Sequence, residues 1–319
     1  MRISIDELQK RAAWLNARLA SCDICPRKCG VNRLKGERSF CHSGASPIVA
    51  SYCVHRGEEP AISGTRGSGT IFFGNCNLRC VFCQNYQISQ DPQKQEAHTI
   101  TVEKLADCML GLQAQACHNI NFVSPSHFVP QIVSALALAA PRGFNLPLVY
   151  NTNAYDNVET LKELDGIIDI YLPDIKYADD EKAVRYSSGS DYKVTSRAAI
   201  KEMWRQAGKL VLDRDDVATR GVIIRHLILP GGVAGTQESL NWLAQEVSTE
   251  VTVSVMSQYR PTHRAELFPE INMTITRSEY DGAMKAFEES GLENGWAQEP
   301  DAPENYLPDF EKEGHPFEK

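Results

Sequence analysis

The feature that most constrains the fold is the alternation of short apolar strands with helical segments after residue 67. Six runs rich in β-branched residues are predicted as strands, namely Thr70–Phe73, Asn119–Val123, Leu146–Tyr150, Ile167–Leu172, Val222–Leu229 and Val251–Met256. Segments with helical periodicity separate them, and such βα units build a parallel sheet. Because six strands are too few for a closed eight-stranded barrel, we predict an open partial barrel or a doubly wound sheet.

Both architectures place a functional site at the carboxyl ends of the strands. Polar residues follow the predicted strands at those ends, including Asn75, Cys76, Ser124, Ser126, Asn151–Asn153, Asp174, Lys176 and Ser257–Arg260. We therefore expect them to lie near one another.

Composition divides the 319-residue chain into three parts. Eight of the ten cysteines lie in the first 83 residues. We predict an N-terminal helix with a cysteine-rich extension over 1–67, an α/β domain over 68–295, and an acidic tail over 296–319. The net charge of −8 argues against a general nucleic-acid binder. No apolar run approaches the roughly 20 residues of a membrane span, and the first residues do not form a secretory signal, so a cytoplasmic location is expected.

The strongest chemical motif follows the first predicted strand, where residues 76–85 read CNLRCVFCQN. Its C-x3-C-x2-C spacing gathers Cys76, Cys80 and Cys83 on one loop. Three thiolates would leave one iron of a four-iron cluster open to a ligand from outside the protein. Structural zinc normally takes four protein ligands, so three are a poor set for that ion.

This loop resembles that of the radical S-adenosylmethionine enzymes, and more closely that of the pyruvate formate-lyase activating enzyme-like proteins. The resemblance implies a partial (βα)6 barrel with an N-terminal cysteine-rich extension, and a 4Fe-4S cluster on Cys76, Cys80 and Cys83. It implies an oxidoreductase that cleaves S-adenosylmethionine and abstracts a hydrogen atom, with Phe82 packed on the adenine. The implied partners are a glycyl-radical enzyme as substrate and a reductant such as flavodoxin or ferredoxin.

Later strand ends carry further positions that the resemblance implies for the cofactor. The family's Gly-Gly-Glu stretch, which binds the methionine amino group, is replaced here by residues that include Ser124 and Ser126. The resemblance implies cofactor contacts for Asn151 and Asn153, and for Asp174 and Lys176, which match the Asp-x-Lys motif of the activating enzymes. From their chemistry and their places at the strands, Ser124, Arg225 and Met256 are also expected to contact the cofactor. Arg225 lies within an apolar run, so its guanidinium needs an anion such as Asp174 or the cofactor carboxylate.

The N-terminal extension offers a second set of thiols. Cys22, Cys25, Cys29 and Cys41 fall within twenty residues, which fits structural zinc or a second iron–sulfur cluster as well as reduced structural thiols. Two alternatives to the activase interpretation stay open. One is radical modification of another peptide or a small molecule, and the other is a non-catalytic Fe–S or zinc binding module.

Overall fold

A mostly parallel sheet organises the chain, whose computed structural model describes residues 2–298, 308–312 and 315–317. In this part of the chain the sheet has nine strands, of which eight follow in the order β1-β2-β3-β4-β5-β7-β8-β9 and β6 pairs with β7. The strands are β1 (Val49–His55), β2 (Ser68–Phe73), β3 (Ile120–Val123), β4 (Leu148–Thr152), β5 (Ile170–Pro173), β6 (Val211–Leu212), β7 (Ala218–Leu227), β8 (Thr252–Met256) and β9 (Asn294–Ala297).

Helices connect these strands. They are α1 (Ile5–Ala17), α2 (Pro60–Ser63), α3 (Tyr86–Ser89), α4 (Pro92–Gln95), α5 (Val102–Ala114), α6 (Val129–Ala139), α7 (Val158–Lys162), α8 (Asp180–Ser187), α9 (Tyr192–Ala207), α10 (Thr236–Glu246) and α11 (Arg277–Ser290). Side-chain oxygens cap several of them, as where Thr101 accepts a hydrogen bond from the Lys104 amide at the start of α5. Among the described residues, no helix is both long enough and apolar enough to span a membrane.

Strand alternation separates an outer face from an inner face of the sheet. On β2, Ile71 and Phe73 belong to the large outer core that includes buried residues of α5 and α6. Thr70 and Phe72 point the other way. On the inner face, Ala61 and Ile62 of α2 pack against apolar residues of the central strands, namely Val149, Ile170, Leu172, Ala218 and Ile223. The N-terminal extension thus supplies a short helix that fills one end of the partial barrel.

The α/β fold and all six predicted strands are confirmed, and β2, β3, β4, β5, β7 and β8 form consecutive parallel pairs. The sequence reasoning did not identify the two-residue β6, which pairs antiparallel with β7. It also did not identify β1, which pairs antiparallel with β2, or β9, which pairs parallel with β8. Most β1 residues are only half-buried, and β9 has four residues including Gly295. Neither presents the continuous apolar run that identified the other strands.

The three predicted parts of the chain stay predictions. Two strands cross the boundaries between these parts. β1 lies in the segment 1–67 but pairs with β2 of the α/β domain, and β9 runs across the predicted boundary at residue 295. Most of the predicted acidic tail lies outside the described residues. Its described residues Phe310 and Phe317 pack near Phe72 on the inner face of the sheet.

Candidate functional site

The loop after β2 brings three cysteines to the carboxyl end of the sheet. Gly74 begins it, and a Cβ at this position would lie 2.5 Å from Ile48 Cγ2, so a side chain does not fit. The loop is fixed to the end of α8 by two backbone hydrogen bonds, from Arg79 N to Ser187 O at 2.9 Å and from Val81 N to Tyr186 O at 2.8 Å. These bonds hold Cys80 between them against α8.

Polar hydrogens lie close to the sulfur atoms. Cys76 Sγ accepts hydrogen bonds from Leu78 N at 3.4 Å and from Asn153 Nδ2 at 3.5 Å. Ser187 Oγ donates to Cys80 Sγ at 3.0 Å, and Cys83 Sγ lies 3.3 Å from Ser89 Oγ. Donors of this kind stabilise the thiolate form and tune an iron–sulfur cluster.

Positive charges near the cysteine loop partly offset the effect of burial on the pKa of its thiols. Burial raises the pKa of all three thiols, whereas Lys176 lowers it at each of them. Arg79 also lowers the pKa of Cys76. Thiolates are therefore costly here unless a metal replaces their protons.

A four-iron cluster fits this set of donors. In the part of the chain that the structure describes, no three His, Cys, Asp or Glu side chains are arranged to hold a metal ion. A four-iron cluster is a larger body than one ion, and its thiolate ligands need not converge on one point. Three thiols on one loop, with N–H and O–H donors at their sulfurs, match such a cluster with one open iron.

An ion-pair network lies at the ends of the neighbouring strands. Asp174 Oδ2 lies 2.7 Å from Lys176 Nζ, and Asp174 Oδ1 lies 2.8 Å from Arg225 Nε. Arg225 Nη2 also donates to Asn151 Oδ1 at 2.7 Å. Burial opposes ionisation of Asp174, but Arg225 and Lys176 outweigh it and keep the pKa of this carboxyl below its ordinary value. The predicted residues Asn151, Asp174, Lys176 and Arg225 therefore lie together.

Asn153 connects the network to the cysteine loop. Its Nδ2 donates to Asn77 Oδ1 at 2.9 Å as well as to Cys76 Sγ, and its Oδ1 accepts from Tyr155 N. The Tyr192 hydroxyl lies 2.9 Å from the carbonyl oxygens of both Asn153 and Asp174. It thereby joins the ends of β4 and β5, a role the sequence reasoning missed.

The other predicted cofactor residues lie around this network. Phe82 is buried and meets Tyr259 edge-on at 5.6 Å between ring centroids. Ser124 has a positive φ of 57° and donates its backbone N–H to Asn151 O. Met256 ends β8, and its sulfur accepts from Gln258 Nε2 at 3.9 Å.

Glu58 is the main residue that the sequence reasoning missed. It lies in the loop between β1 and α2, and its Oε2 is 3.6 Å from Arg225 Nη1. Asn151 Nδ2 lies 3.4 Å from Glu58 Oε1. Burial raises the pKa of Glu58 to about 7, although Arg225 acts in the opposite direction. The only sequence signal was two adjacent acids before Pro60, in a segment without periodicity.

The N-terminal cysteines lie close to one another without forming an ion site. Cys22, Cys25 and Cys41 are buried, Cys29 is half-buried, and all four are free thiols. Burial raises the pKa of Cys25 to about 12, and nearby Cys41 adds to that rise. In the described residues none of these thiols belongs to a group of three arranged around one metal ion, and their assignment to zinc, a second cluster or reduced thiols stays a prediction.

Comparisons with known proteins agree with this geometry. The sequence profile described as "Radical SAM superfamily" matches residues 70–242. A relative from Methanocaldococcus jannaschii, "Uncharacterized protein MJ0674", is 31% identical over 277 residues, which cover 86% of this chain and 76% of that protein. A second protein of that organism, "Uncharacterized protein MJ0808", is 26% identical over 158 residues and shares 45% of this chain and 46% of its own length.

Solved structures are also similar. The FeFe-hydrogenase maturase HydG from Carboxydothermus hydrogenoformans has 12% identity and a TM-score of 0.49, covering 73% of this chain and 54% of that chain. A radical SAM methyltransferase from Sphaerobacter thermophilus has 11% identity and a TM-score of 0.46, covering 72% of this chain and 66% of that chain. From the family match over more than half of its length, this chain belongs to the radical SAM superfamily, whose members use a 4Fe-4S cluster and S-adenosylmethionine.

Proposed function

We propose that this protein is a radical S-adenosylmethionine enzyme that activates a glycyl-radical enzyme, with its cluster on Cys76, Cys80 and Cys83. The observation that carries the proposal is the position of the Asp174–Lys176–Arg225 network beside the cysteine loop, where Lys176 acts on the pKa of Cys80. When bound, the cluster and S-adenosylmethionine supply reductive carbon–sulfur cleavage and hydrogen abstraction.

The chain's own charges bind and orient the cofactor. Lys176 and Arg225 are the cations that face its carboxylate, and Asp174 holds both in place through contacts of 2.7 and 2.8 Å. Because these side chains are about 17% exposed, their charges are screened less than those of a surface pair. Their attraction for an anion is correspondingly strong.

Amides and packing residues complete the proposed site. Asn151 orients the Arg225 guanidinium and Asn153 supports Cys76, so both act on the cofactor through groups that touch it. Ser124 stands where the family has its Gly-Gly-Glu stretch and offers a hydroxyl to the methionine amino group. Phe82 and Met256 provide apolar surface for the adenine, which limits access of water to the reacting atoms.

The activase assignment is supported by the match of Asp174-Ile175-Lys176 to the Asp-x-Lys motif of the activating enzymes. The alternative, modification of another peptide or a small molecule, is favoured by the filling of one end of the barrel by Ala61 and Ile62. A barrel filled at that end has less room for a deep protein segment. Flavodoxin or ferredoxin is the proposed electron donor.

The radical chemistry is tested by anaerobic reconstitution with iron and sulfide, followed by reduced flavodoxin and S-adenosylmethionine. We expect 5′-deoxyadenosine from the parent and from Cys108→Ala, a buried cysteine in α5, but not from Cys80→Ala. A parent protein that holds a full cluster and forms no product would overturn the proposal.

The activase step is tested separately by adding pyruvate formate-lyase and recording the electron paramagnetic resonance spectrum. We expect a glycyl radical in the parent reaction only. Formation of 5′-deoxyadenosine without that radical would contradict activation of this partner and favour the peptide or small-molecule alternative.

A further inference from the structure

A layer of polar side chains lies on the inner face of the sheet, above the apolar residues of α2. Glu58 and Glu59 enter it from the loop between β1 and α2, and Glu59 Oε2 accepts a hydrogen bond from Trp296 Nε1 of β9 at 2.7 Å. The strands contribute Asn121, Asn151, Arg225 and Ser254. The interior of the partial barrel therefore carries charge as well as apolar surface.

The carboxylates of Asp174 and Glu58 are paired unequally with the nearby cations. Asp174 has the short contacts to both, at 2.7 Å to Lys176 and 2.8 Å to Arg225. Glu58 meets Arg225 at 3.6 Å and the Asn151 amide at 3.4 Å, distances that are long for strong pairing. A carboxylate only 10% exposed is thus weakly compensated.

Two further buried polar side chains lie on this face of the sheet. Asn121 is fully buried and near enough to lower the pKa of Glu58, yet within the described residues neither of its amide atoms completes a hydrogen bond of normal geometry. Ser254 Oγ, on β8 opposite Arg225 of β7, is buried and has no hydrogen-bond partner in the part of the chain that the structure describes. Buried polar atoms normally have partners, so an unpartnered amide beside a weakly compensated carboxylate indicates a ligand that supplies them.

We propose that Glu58 binds a cationic N–H group of the substrate, an ammonium or a guanidinium, inside the partial barrel. This inference rests on the proposed function and names the substrate class of that site. A bound cation would pair with the Glu58 carboxylate, and a remaining N–H group would donate to the unpartnered Asn121 Oδ1. The matching substrates are peptide segments that carry a Lys or Arg side chain.

We assign Glu58 to the substrate, and the S-adenosylmethionine affinity of Glu58→Gln distinguishes this role from a contact with the cofactor's amino group. Lys176 and Asp174 act on Cys80, so they belong to the layer beside the cysteine loop. Glu58 contacts Arg225 and Asn151, and Glu59, Asp174 and Asn121 also act on its pKa. Arg225 thus lies between the two layers, with Asp174 on one side and Glu58 on the other.

The test uses reconstituted protein with S-adenosylmethionine and no reductant, so that binding is measured without turnover. The probes are the N-acetyl methylamides of lysine, arginine and norleucine, which differ in the cationic group. By calorimetry we expect the lysine or arginine probe to bind at least about tenfold more tightly than norleucine. Glu58→Gln should reduce this ratio below about threefold. The exposed Glu288→Gln on α11 should preserve it.

Two further measurements keep the inference falsifiable. Glu58→Asp retains the negative charge on a side chain that is shorter by one methylene. If the carboxylate itself binds the cation, we expect the preference for the cationic probes over norleucine to lie between those of the parent and Glu58→Gln. Equal binding of all three probes by the parent would overturn the inference. So would a tenfold weaker S-adenosylmethionine affinity in Glu58→Gln, because the carboxylate would then serve the cofactor. Failure of the parent to form 5′-deoxyadenosine is a separate result that counts against the proposed function alone.

Discussion

Arg225 Nε lies 2.8 Å from Asp174 Oδ1, across the ends of the adjacent strands β7 and β5. The same guanidinium reaches Asn151 on β4 and approaches Glu58 from the loop before α2. Arg225 therefore joins the proposed cofactor-binding residues to the polar interior of the barrel. Its planar array of donors allows this, because each N–H group points to a different partner.

Replacing Arg225 with Lys tests that geometry while keeping the positive charge. A lysine ammonium cannot contact Asp174, Asn151 and Glu58 together, so we expect S-adenosylmethionine affinity to fall on the order of tenfold. Calorimetry on the cluster-loaded protein measures this change. The control is Arg277→Lys, since Arg277 is exposed and pairs with Asp281 at the surface. Equal affinity in both variants would show that the fork geometry of Arg225 is unimportant.

Ser187 provides a second test through its hydrogen bond to Cys80 Sγ at 3.0 Å. A donor at a cluster thiolate stabilises the more negative, reduced state, so Ser187→Ala should make the reduction potential more negative. A hydrogen bond of about 1 kcal/mol corresponds to a change on the order of tens of millivolts for one electron. A redox titration followed by electron paramagnetic resonance measures it.

The exposed Ser278→Ala on α11 is the matched control for that titration. Its potential should equal that of the parent. An unchanged potential in Ser187→Ala at full iron content would mean that the hydroxyl does not bond to the cluster thiolate.

The parts of the site that could be predicted are those indicated by patterns among residues close together in the sequence. Periodicity identified the six parallel strands, and an arginine within the apolar run of β7 indicated a buried anion that proved to be Asp174. Glu58 and Ser187 gave no such signal, because each reaches the site through long-range packing. Glu58 depends on the pairing of the half-buried β1 with β2, and Ser187 on the docking of α8 against the cysteine loop.

Metal analysis tests the N-terminal cysteines. Burial and the neighbouring Cys41 raise the pKa of Cys25 to about 12, which opposes the thiolate form that a zinc ligand needs, so we expect no stoichiometric zinc in the purified protein. Elemental analysis of the parent and of Cys25→Ser measures zinc and iron together. One zinc per chain that disappears in Cys25→Ser would contradict this expectation and restore the structural zinc site.

The raised pKa of Glu58 predicts a pH-dependent contribution to stability. Its ordinary value is 4.5 and burial raises it to about 7, against the effect of Arg225 and with the help of Glu59 and Asp174. Between these values the folded protein holds a proton that the unfolded chain has released. The stabilisation is therefore complete below about pH 4.5 and is lost as the pH rises through about 7.

Urea unfolding of the parent and of Glu58→Gln at several pH values measures this contribution. Glutamine stays neutral, so the unfolding free energy of the parent relative to the variant should fall by on the order of 3 kcal/mol across that window. Glu288→Gln, with an exposed carboxylate, should show no such trend relative to the parent. A constant difference between the parent and Glu58→Gln would mean that Glu58 is ionised throughout. Its carboxylate would then already be compensated within the protein, and the argument for a cationic ligand at this position would lose its electrostatic support.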